Sequence, residues 1–264
     1  MDDTTPDEPD PEPAPTSVRA EVESLLDVDD TRMGDVYRLD REGKTAPEIA
    51  DELGVATSGF VSNYKTAIAA LLDGQVPASP TLAAQVASRV RQWLKKSGIS
   101  PGLREHLDQL HVGLQLRADD SVARSQELGK AAQRTADVED RRTPGIYVYT
   151  LPHYLRYPYE PESGRTLLKV GRSERDTYQR AYSQGRITAL PEDPILLRVY
   201  RVDEGETATA EKGFHDWLLA ADHERSRSLR GGSEWFLTST RFLDRVAQSA
   251  GLEVEVVSEL ETGD

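Results

Sequence analysis

Four short stretches in the C-terminal half of the chain carry side chains suited to acid–base and phosphate chemistry. Tyr147 ends the tripeptide Gly-Ile-Tyr, Lys169 begins Lys-Val-Gly, Arg180 follows on a helical stretch, and Glu211 lies in TATAEKGF. A phenol, an ammonium, a guanidinium and a carboxylate can together move a proton, neutralise an anion and hold a divalent cation. They do so only where the fold brings them to one place.

The segments around these residues predict a small sheet with helices. GIYVYT (145–150), RTLLKV (165–170) and ILLRVYRV (195–202) are short runs rich in β-branched and aromatic residues, bounded by Gly and Pro. Helical segments separate the later runs, and GGSEWF (231–236) precedes a further helix and a last strand. The predicted order is β-β-α-β-α, with the first two strands forming a hairpin.

This order resembles the GIY-YIG nuclease fold over about Gly145–Leu243, in particular its phage- and bacterial-type branch with a KIG-like second motif and a terminal EWF. The resemblance implies metal-dependent hydrolysis of phosphodiester bonds. It implies that Tyr147 is the general base for the attacking water and that Arg180 clamps the scissile phosphate. It also implies that Glu211 is the single protein ligand of a Mg²⁺ or Mn²⁺ ion. Lys169 stands where the family has its second tyrosine and is expected to share in catalysis.

The chemistry of tyrosine sets a condition on such a site. A free phenol has a pKa near ~10, so a tyrosine acting as a base near pH 7 needs that pKa lowered by about 3 units, or roughly 4 kcal/mol. Nearby cations cause such shifts, and we expect Lys169 or Arg172 to do so for Tyr147. Arg172 is also expected to contact DNA. The alternative is structural: Tyr147 as a half-buried strand aromatic, Arg180 as a solvated helix residue, and Glu211 as a carboxylate at the edge of a core.

The predicted hairpin carries an insertion. The segment PHYLRYPYEPESGR (152–165) is rich in Tyr and Pro and makes the connection longer than is usual for the fold it resembles. It fits either a loop that stacks on bases or grips a strand or a tolerated surface insertion.

A second motif lies nearer the N-terminus, in GKTAPEIADELGVATSGFVSNYKTAIAALL (43–72). Thr45 and Glu48 have the spacing of a capping box, Gly54 predicts the end of that helix, and a second helix begins at about Ser58. A short helix, a turn and a longer helix in this order resemble the helix-turn-helix DNA-binding domains of many prokaryotic proteins. In such domains the second helix enters the major groove by its N-terminal side chains.

This second resemblance implies that Ser58, Asn63 and Lys65 contact DNA. Asn63 suits a bidentate bond to adenine, and Lys65 suits guanine or a phosphate. Further phosphate contacts are expected from a basic helix face in LAAQVASRVRQWLKKSG (82–98), which is equally typical of a solvated helix flank. The alternative for the whole motif is a small helical bundle with solvated polar residues.

The acidic net charge of −14 is confined to the two ends of the chain. Residues 1–30 hold eleven acidic residues and one Arg, and residues 251–264 hold five acidic and no basic residues. Between them, 31 basic residues balance 30 acidic ones, so this part of the chain is free to present a basic face to DNA. The acidic ends fit either solvated, disordered tails or an autoinhibitory arm that mimics DNA.

Several classes of protein are excluded by composition. The chain has no Cys, and its five His form no HxxxH pair, so thiolate and His-built metal sites are not expected. Neither GxGxxG nor GxxxxGK[ST] occurs, which argues against a nucleotide-using enzyme. The sequence has no 18-residue apolar run, and its start lacks a basic stretch followed by an apolar one. We therefore expect a cytoplasmic protein without membrane contact.

The sequence thus predicts an α+β protein, in which an all-helical N-terminal region precedes a small α/β domain with a mainly antiparallel sheet. The predicted units are a disordered acidic and Pro-rich tail (1–18), a helix-turn-helix domain (19–78), a helical connector (79–142), a GIY-YIG-like nuclease domain (143–250) and an acidic C-terminal strand or tail (251–264). A homodimer through the helical region is a further expectation. The predicted function is a metal-dependent DNA endonuclease, and the alternative is a non-catalytic DNA-binding regulator that retains the nuclease-like module.

Overall fold

The computed structural model describes residues 17–160, 163–173, 192–224 and 234–259. The fold class is α+β as predicted, with most helices in the N-terminal half and the strands in the C-terminal half. The helices are α1 (Val18–Asp27), α2 (Arg32–Arg41), α3 (Ala46–Leu53), α4 (Ser58–Asp73), α5 (Pro80–Trp93), α6 (Pro101–Ala118), α7 (Ser121–Glu139), α8 (Pro152–Arg156), α9 (Thr207–Ala220) and α10 (Thr240–Ser249). The strands are β1 (Gly145–Thr150), β2 (Thr166–Ser173), β3 (Ile195–Arg201), β4 (Trp235–Thr238) and β5 (Val254–Val256).

Helices α1 to α6 share one hydrophobic core. Fully buried side chains from α4, α5 and α6, among them Tyr64, Trp93 and Leu107, belong to a single cluster. Residues 79–118 are therefore part of the helical domain, and the connector expected over 79–142 is confined to α7 and the residues beside it. The apolar residues of α5 recur every fourth position, so they place one face of that helix in the core.

The pair α3–α4 begins and ends where the sequence predicts. The Glu48 carboxylate accepts a hydrogen bond from the Thr45 backbone N–H at 2.7 Å, which forms the capping box. Gly54 has φ +62°, a left-handed conformation that glycine adopts without strain at a helix end. The first described residue, Ser17, caps α1, so helix starts at Val18, inside the segment expected to be disordered; residues 1–16 lie outside the described part.

The strands form one antiparallel sheet in the order β4-β2-β1-β3-β5. In the β1–β2 hairpin Tyr147 lies opposite Gly171, and Tyr149 lies opposite Lys169. Because side chains alternate along a strand, these four residues share one face of the sheet. The other face, which carries Val148, packs against α9 and α10.

Helix α7 covers the face of the sheet that carries Tyr147. Its buried residues are Ala131, Thr135 and Val138, and Thr135 Oγ1 accepts a hydrogen bond from the Leu196 backbone N–H at 3.1 Å. The buried side of α7 is therefore covered within the chain.

The insertion in the hairpin is not a free surface loop. It contains α8, whose Leu155 carbonyl accepts a hydrogen bond from Gln85 Nε2 of α5 at 2.7 Å. Arg156 is buried and donates from Nη2 to the Ala118 carbonyl of α6 at 2.6 Å. The insertion thus packs the sheet against the helical domain, while Tyr159 remains exposed.

The C-terminal residues add to the sheet. β5 pairs with β3, and the backbone N–H groups of Val257 and Ser258 donate to the Leu197 carbonyl, so the strand expected at the C-terminal end lies at the sheet edge. None of the helices in the described part of the chain is both long and apolar enough to cross a membrane.

Candidate functional site

The open edge of β2 gathers charged side chains from three elements. β4 pairs with β2 only as far as Lys169, and the Val170 backbone N–H donates to the Glu234 carbonyl at 2.8 Å. Just beyond this point is Gly171, which contributes no side chain. We define the edge site as Lys169, Gly171, Arg172, Glu211 and Glu234.

Two ion pairs link these residues. Lys169 Nζ lies 3.3 Å from Glu234 Oε2, and Arg172 Nε lies 3.6 Å from Glu211 Oε2. Glu211 is the more enclosed of the two carboxylates, with 19% of its side chain exposed against 42% for Glu234. Each carboxylate of the site is therefore paired with one cation of β2.

Glycine at position 171 leaves a space between the two carboxylates. A Cβ built there would lie 3.7 Å from Glu234 Oε2 and 4.0 Å from Glu211 Oε1. Mg²⁺ commonly binds one or two protein carboxylates and takes its other ligands from water and substrate phosphate. The described residues contain no cluster of three or more His, Cys, Asp or Glu that would form a fuller metal site. Glu211 and Glu234 thus fit a cation held by few protein ligands, and they do not fit an all-protein cage.

Tyr147 lies on the same sheet face as Gly171 but in a different environment. Its side chain is 2% exposed and packs with Val138, Leu196 and Val199. Its hydroxyl donates to the Thr143 carbonyl at 2.6 Å.

The prediction that cations lower the pKa of Tyr147 is wrong for this conformation. Burial, together with the carboxylates of Glu255 and Glu139, raises that pKa to about 12, and Arg141 opposes them. Neighbouring Tyr149 donates to Glu139 at 2.9 Å, and burial raises its pKa as well. The structural alternative therefore describes Tyr147 here, except that the side chain is fully and not half buried.

The structure brings two of the other three predicted catalytic residues together. Lys169 and Glu211 both belong to the edge site, whereas Arg180 lies outside the described residues. The sequence analysis does not predict Glu234 as a site residue, because EWF enters it only as the terminal motif of the resemblance. The available signal was that a glutamate directly precedes a strand that pairs beside Lys169.

Three of the four residues predicted to contact DNA bond to other residues of the chain. Asn63 donates from Nδ2 to the Glu259 carbonyl at 2.5 Å, and Lys65 Nζ lies 2.6 Å from Asp40 Oδ1. Ser58 is the first residue of α4 and is partly exposed, and Arg172 is part of the edge site.

The basic face expected on α5 is only partly available. Arg89 is mostly buried and lies 3.5 Å from Asp29, while Arg91, Lys95 and Lys96 are exposed. Phosphate contacts from this region would therefore come from the C-terminal end of α5 and the residues after it.

Comparison of the chain with protein-family models, with curated proteins and with solved structures finds no match. The resemblances to the GIY-YIG and helix-turn-helix families thus depend on the motifs themselves and on where the fold places them.

Proposed function

We propose that this protein is a metal-dependent DNA endonuclease whose phosphodiester-cleaving centre is the edge site. The observation that carries the proposal is the convergence of Glu211, Glu234, Lys169 and Arg172 around the space beside Gly171. All four side chains come from the segments that resemble the GIY-YIG family: Lys169 and Arg172 from KVGR, Glu211 from TATAEKGF, and Glu234 from EWF. Phosphodiester hydrolysis needs a cation at the non-bridging oxygens and stabilisation of the leaving oxyanion, which this set of groups supplies.

Each side chain has a role that follows from its position. Glu211 and Glu234 would hold a Mg²⁺ or Mn²⁺ ion, which when bound supplies Lewis-acid activation of the phosphate. Arg172 leaves its ion pair with Glu211 and donates to a phosphate oxygen, for which a guanidinium is well shaped. Lys169 leaves its ion pair with Glu234 and stabilises the negative charge that develops on the phosphate or the leaving oxygen.

Tyr147 can act as the general base only after a rearrangement. A buried phenol with a pKa of about 12 is neutral near pH 7, so we propose that the described conformation is a resting state. Removing Glu255 and Glu139 from its surroundings and admitting water would both lower the pKa.

The burial of Tyr147 favours a second candidate function. A DNA-binding regulator would keep the α3–α4 pair for DNA and the sheet as a structural module, with no need for an accessible tyrosine. The two candidates make different predictions for catalysis and the same prediction for binding.

A cleavage assay separates them. Purified protein is incubated with supercoiled plasmid, branched DNA and duplex RNA in Mg²⁺, Mn²⁺ or EDTA, with binding to the same substrates measured in parallel. Metal-dependent nicking that is lost in Glu211→Ala supports the endonuclease. Binding of DNA without cleavage in any metal overturns it and supports the regulator.

A further inference from the structure

The last described residues connect the sheet to the helix expected to read DNA. We define the C-terminal clasp as residues 254–259, which comprise β5 and the three residues after it. The Val257 backbone N–H donates to the Leu197 carbonyl at 3.0 Å, and Arg198 Nη1 donates to the Ser258 carbonyl at 3.2 Å. Arg198 is itself fixed by a buried ion pair with Asp244, 3.2 Å from its Nε. The sheet therefore holds the clasp firmly up to Ser258.

Glu259, the next residue, lies against the N-terminal end of α4. Its Oε1 accepts a hydrogen bond from Thr57 Oγ1 at 2.5 Å, and its carbonyl accepts one from Asn63 Nδ2. Thr57 is the N-cap of α4 and makes no capping bond to the helix backbone. A Cβ on Gly59 would overlap the Glu259 carboxylate, so the carboxylate lies directly on the backbone of the first turn.

These contacts resemble those of a DNA phosphate at such a helix. The N-terminal end of an α-helix attracts anions through its dipole and its unpaired N–H groups, and phosphates commonly bind there. A recognition helix in the major groove also uses its N-terminal side chains for DNA contacts. Glu259 thus places a carboxylate and a backbone carbonyl on the groups that DNA would use.

The same clasp also covers Tyr147. Val257 packs against the cluster that contains Tyr147, and Glu255 forms an ion pair with Arg141 at 2.6 Å, next to the phenol. One segment therefore contacts both the predicted DNA-reading helix and the predicted base.

We propose that the C-terminal clasp is an autoinhibitory element: Glu259 competes with DNA for the N-terminal end of α4, and displacement of the clasp uncovers Tyr147. This inference depends on the proposed function for its DNA ligand. It extends that function by a coupling in which DNA that binds at α4 loosens the clasp over the predicted base.

The test measures DNA affinity by fluorescence anisotropy for full-length wild type, Glu259→Gln and Glu253→Gln. Glu253 is a matched control because it lies just before the clasp, is exposed, and pairs with Arg201 of the sheet edge at 3.3 Å. Both variants lose one negative charge. Since apparent affinity scales with the fraction of protein competent to bind, we expect Glu259→Gln to bind DNA about fivefold more tightly and Glu253→Gln to stay within about twofold of wild type. Equal DNA affinities for the two variants would overturn the proposal that the C-terminal clasp is autoinhibitory.

Hydrogen exchange gives a second readout. Saturating DNA should speed the exchange of backbone amides 254–258 in wild type, and Gly59→Ala should speed it without DNA because the added methyl displaces Glu259. Slow exchange of these amides in both experiments would overturn the proposal, even where a variant had altered affinity for another reason.

The outcomes also distinguish this inference from the proposed function. Tighter binding by Glu259→Gln without cleavage by any variant supports the clasp and overturns the nuclease. Cleavage by wild type with no effect of Glu259→Gln on affinity or rate supports the nuclease and overturns the clasp. Absence of DNA binding in wild type and in all variants overturns both the autoinhibitory role of the C-terminal clasp and the proposal that the protein binds DNA.

Discussion

Tyr147 and Gly171 lie opposite each other on β1 and β2, and each borders a different half of the candidate site. On the Tyr147 side a large ring is closed over by α7 and the C-terminal clasp. On the Gly171 side the absence of a side chain leaves a space between the Glu211 and Glu234 carboxylates. The carboxylates proposed to bind a cation are thus accessible beside Gly171 in the described conformation, whereas the proposed base is covered.

Filling the space at Gly171 should impair cleavage without harming the fold. In Gly171→Ala the new methyl meets the two carboxylates at ordinary contact distances, so we expect stability to stay equal or to rise by up to about 1 kcal/mol. We expect cleavage to fall at least about tenfold because the methyl occupies the place of the cation. Urea unfolding and plasmid nicking measure the two effects.

Gly213→Ala is the matched control for this substitution. A Cβ there meets nothing within 4 Å, and the position is inside α9, so the variant should gain about 1 kcal/mol in the free energy of unfolding. Its cleavage rate should equal that of wild type. Full activity in Gly171→Ala would place the cation elsewhere.

Tyr147→Phe should change how stability depends on alkaline pH. The pKa of Tyr147 is about 12 in the folded protein and near ~10 in an unfolded chain. The neutral phenol therefore stabilises the fold below pH ~10, and as pH rises from about 10 to about 12 this contribution of about 3 kcal/mol is lost. Tyr147→Phe cannot lose it, although it gives up the hydrogen bond that the neutral phenol donates to the Thr143 carbonyl, which costs about 1 kcal/mol below the pKa of Tyr147.

The measurement is urea unfolding of both proteins at pH 9 and at pH 11.5. Tyr149 is present in both proteins, and because Tyr147 contributes to its raised pKa, the difference reports the titration of the coupled pair. Parallel losses of stability would mean that the Tyr147 phenol titrates as if exposed, which contradicts its burial.

Lys169→Met should slow cleavage about tenfold to a hundredfold, because it removes a positive charge from the edge site while keeping the length of the side chain. Lys212→Met on α9 is the control, since the Lys212 side chain is 78% exposed and its ammonium pairs with Asp216. Rates are compared over a pH series. A rate equal to that of wild type at every pH would remove Lys169 from the mechanism.

Asp244→Ala should destabilise the protein by about 3–5 kcal/mol, because it leaves Arg198 as a buried charge without its partner. Asp244 also accepts a hydrogen bond from Tyr200 at 2.7 Å, which the variant loses. Thermal and urea unfolding beside Asp216→Ala, an exposed residue, measure the difference. A loss of less than about 1 kcal/mol would show that the ion pair is accessible to water.

Local elements of this fold are readable from the sequence because neighbouring residues determine them. The capping box of Thr45 and Glu48 and the helix end at Gly54 both depend on short-range spacing.

The features that govern the site depend on contacts between distant parts of the chain. The pKa of Tyr147 is governed by its burial and by Glu255, which is remote in sequence. Asn63 donates a hydrogen bond to the Glu259 carbonyl, although 196 positions separate the two residues in the sequence. Local patterns carry no information on such contacts, so the sequence suggests an open site with a lowered pKa, whereas the folded chain has a closed one.

The role of Glu211 is tested most directly by comparing Glu211→Gln with Asp216→Asn. Both substitutions neutralise one carboxylate on α9, but only Glu211 borders the space at Gly171, while Asp216 is exposed and pairs with Lys212. The assay is single-turnover cleavage of DNA at saturating protein in Mg²⁺, with EDTA blanks and binding measured on the same preparations. We predict that Glu211→Gln cleaves at least about a hundredfold more slowly at unchanged DNA affinity, and that Asp216→Asn matches wild type. Cleavage by Glu211→Gln at the wild-type rate, or cleavage that persists in EDTA, would contradict a metal-dependent nuclease centred on Glu211.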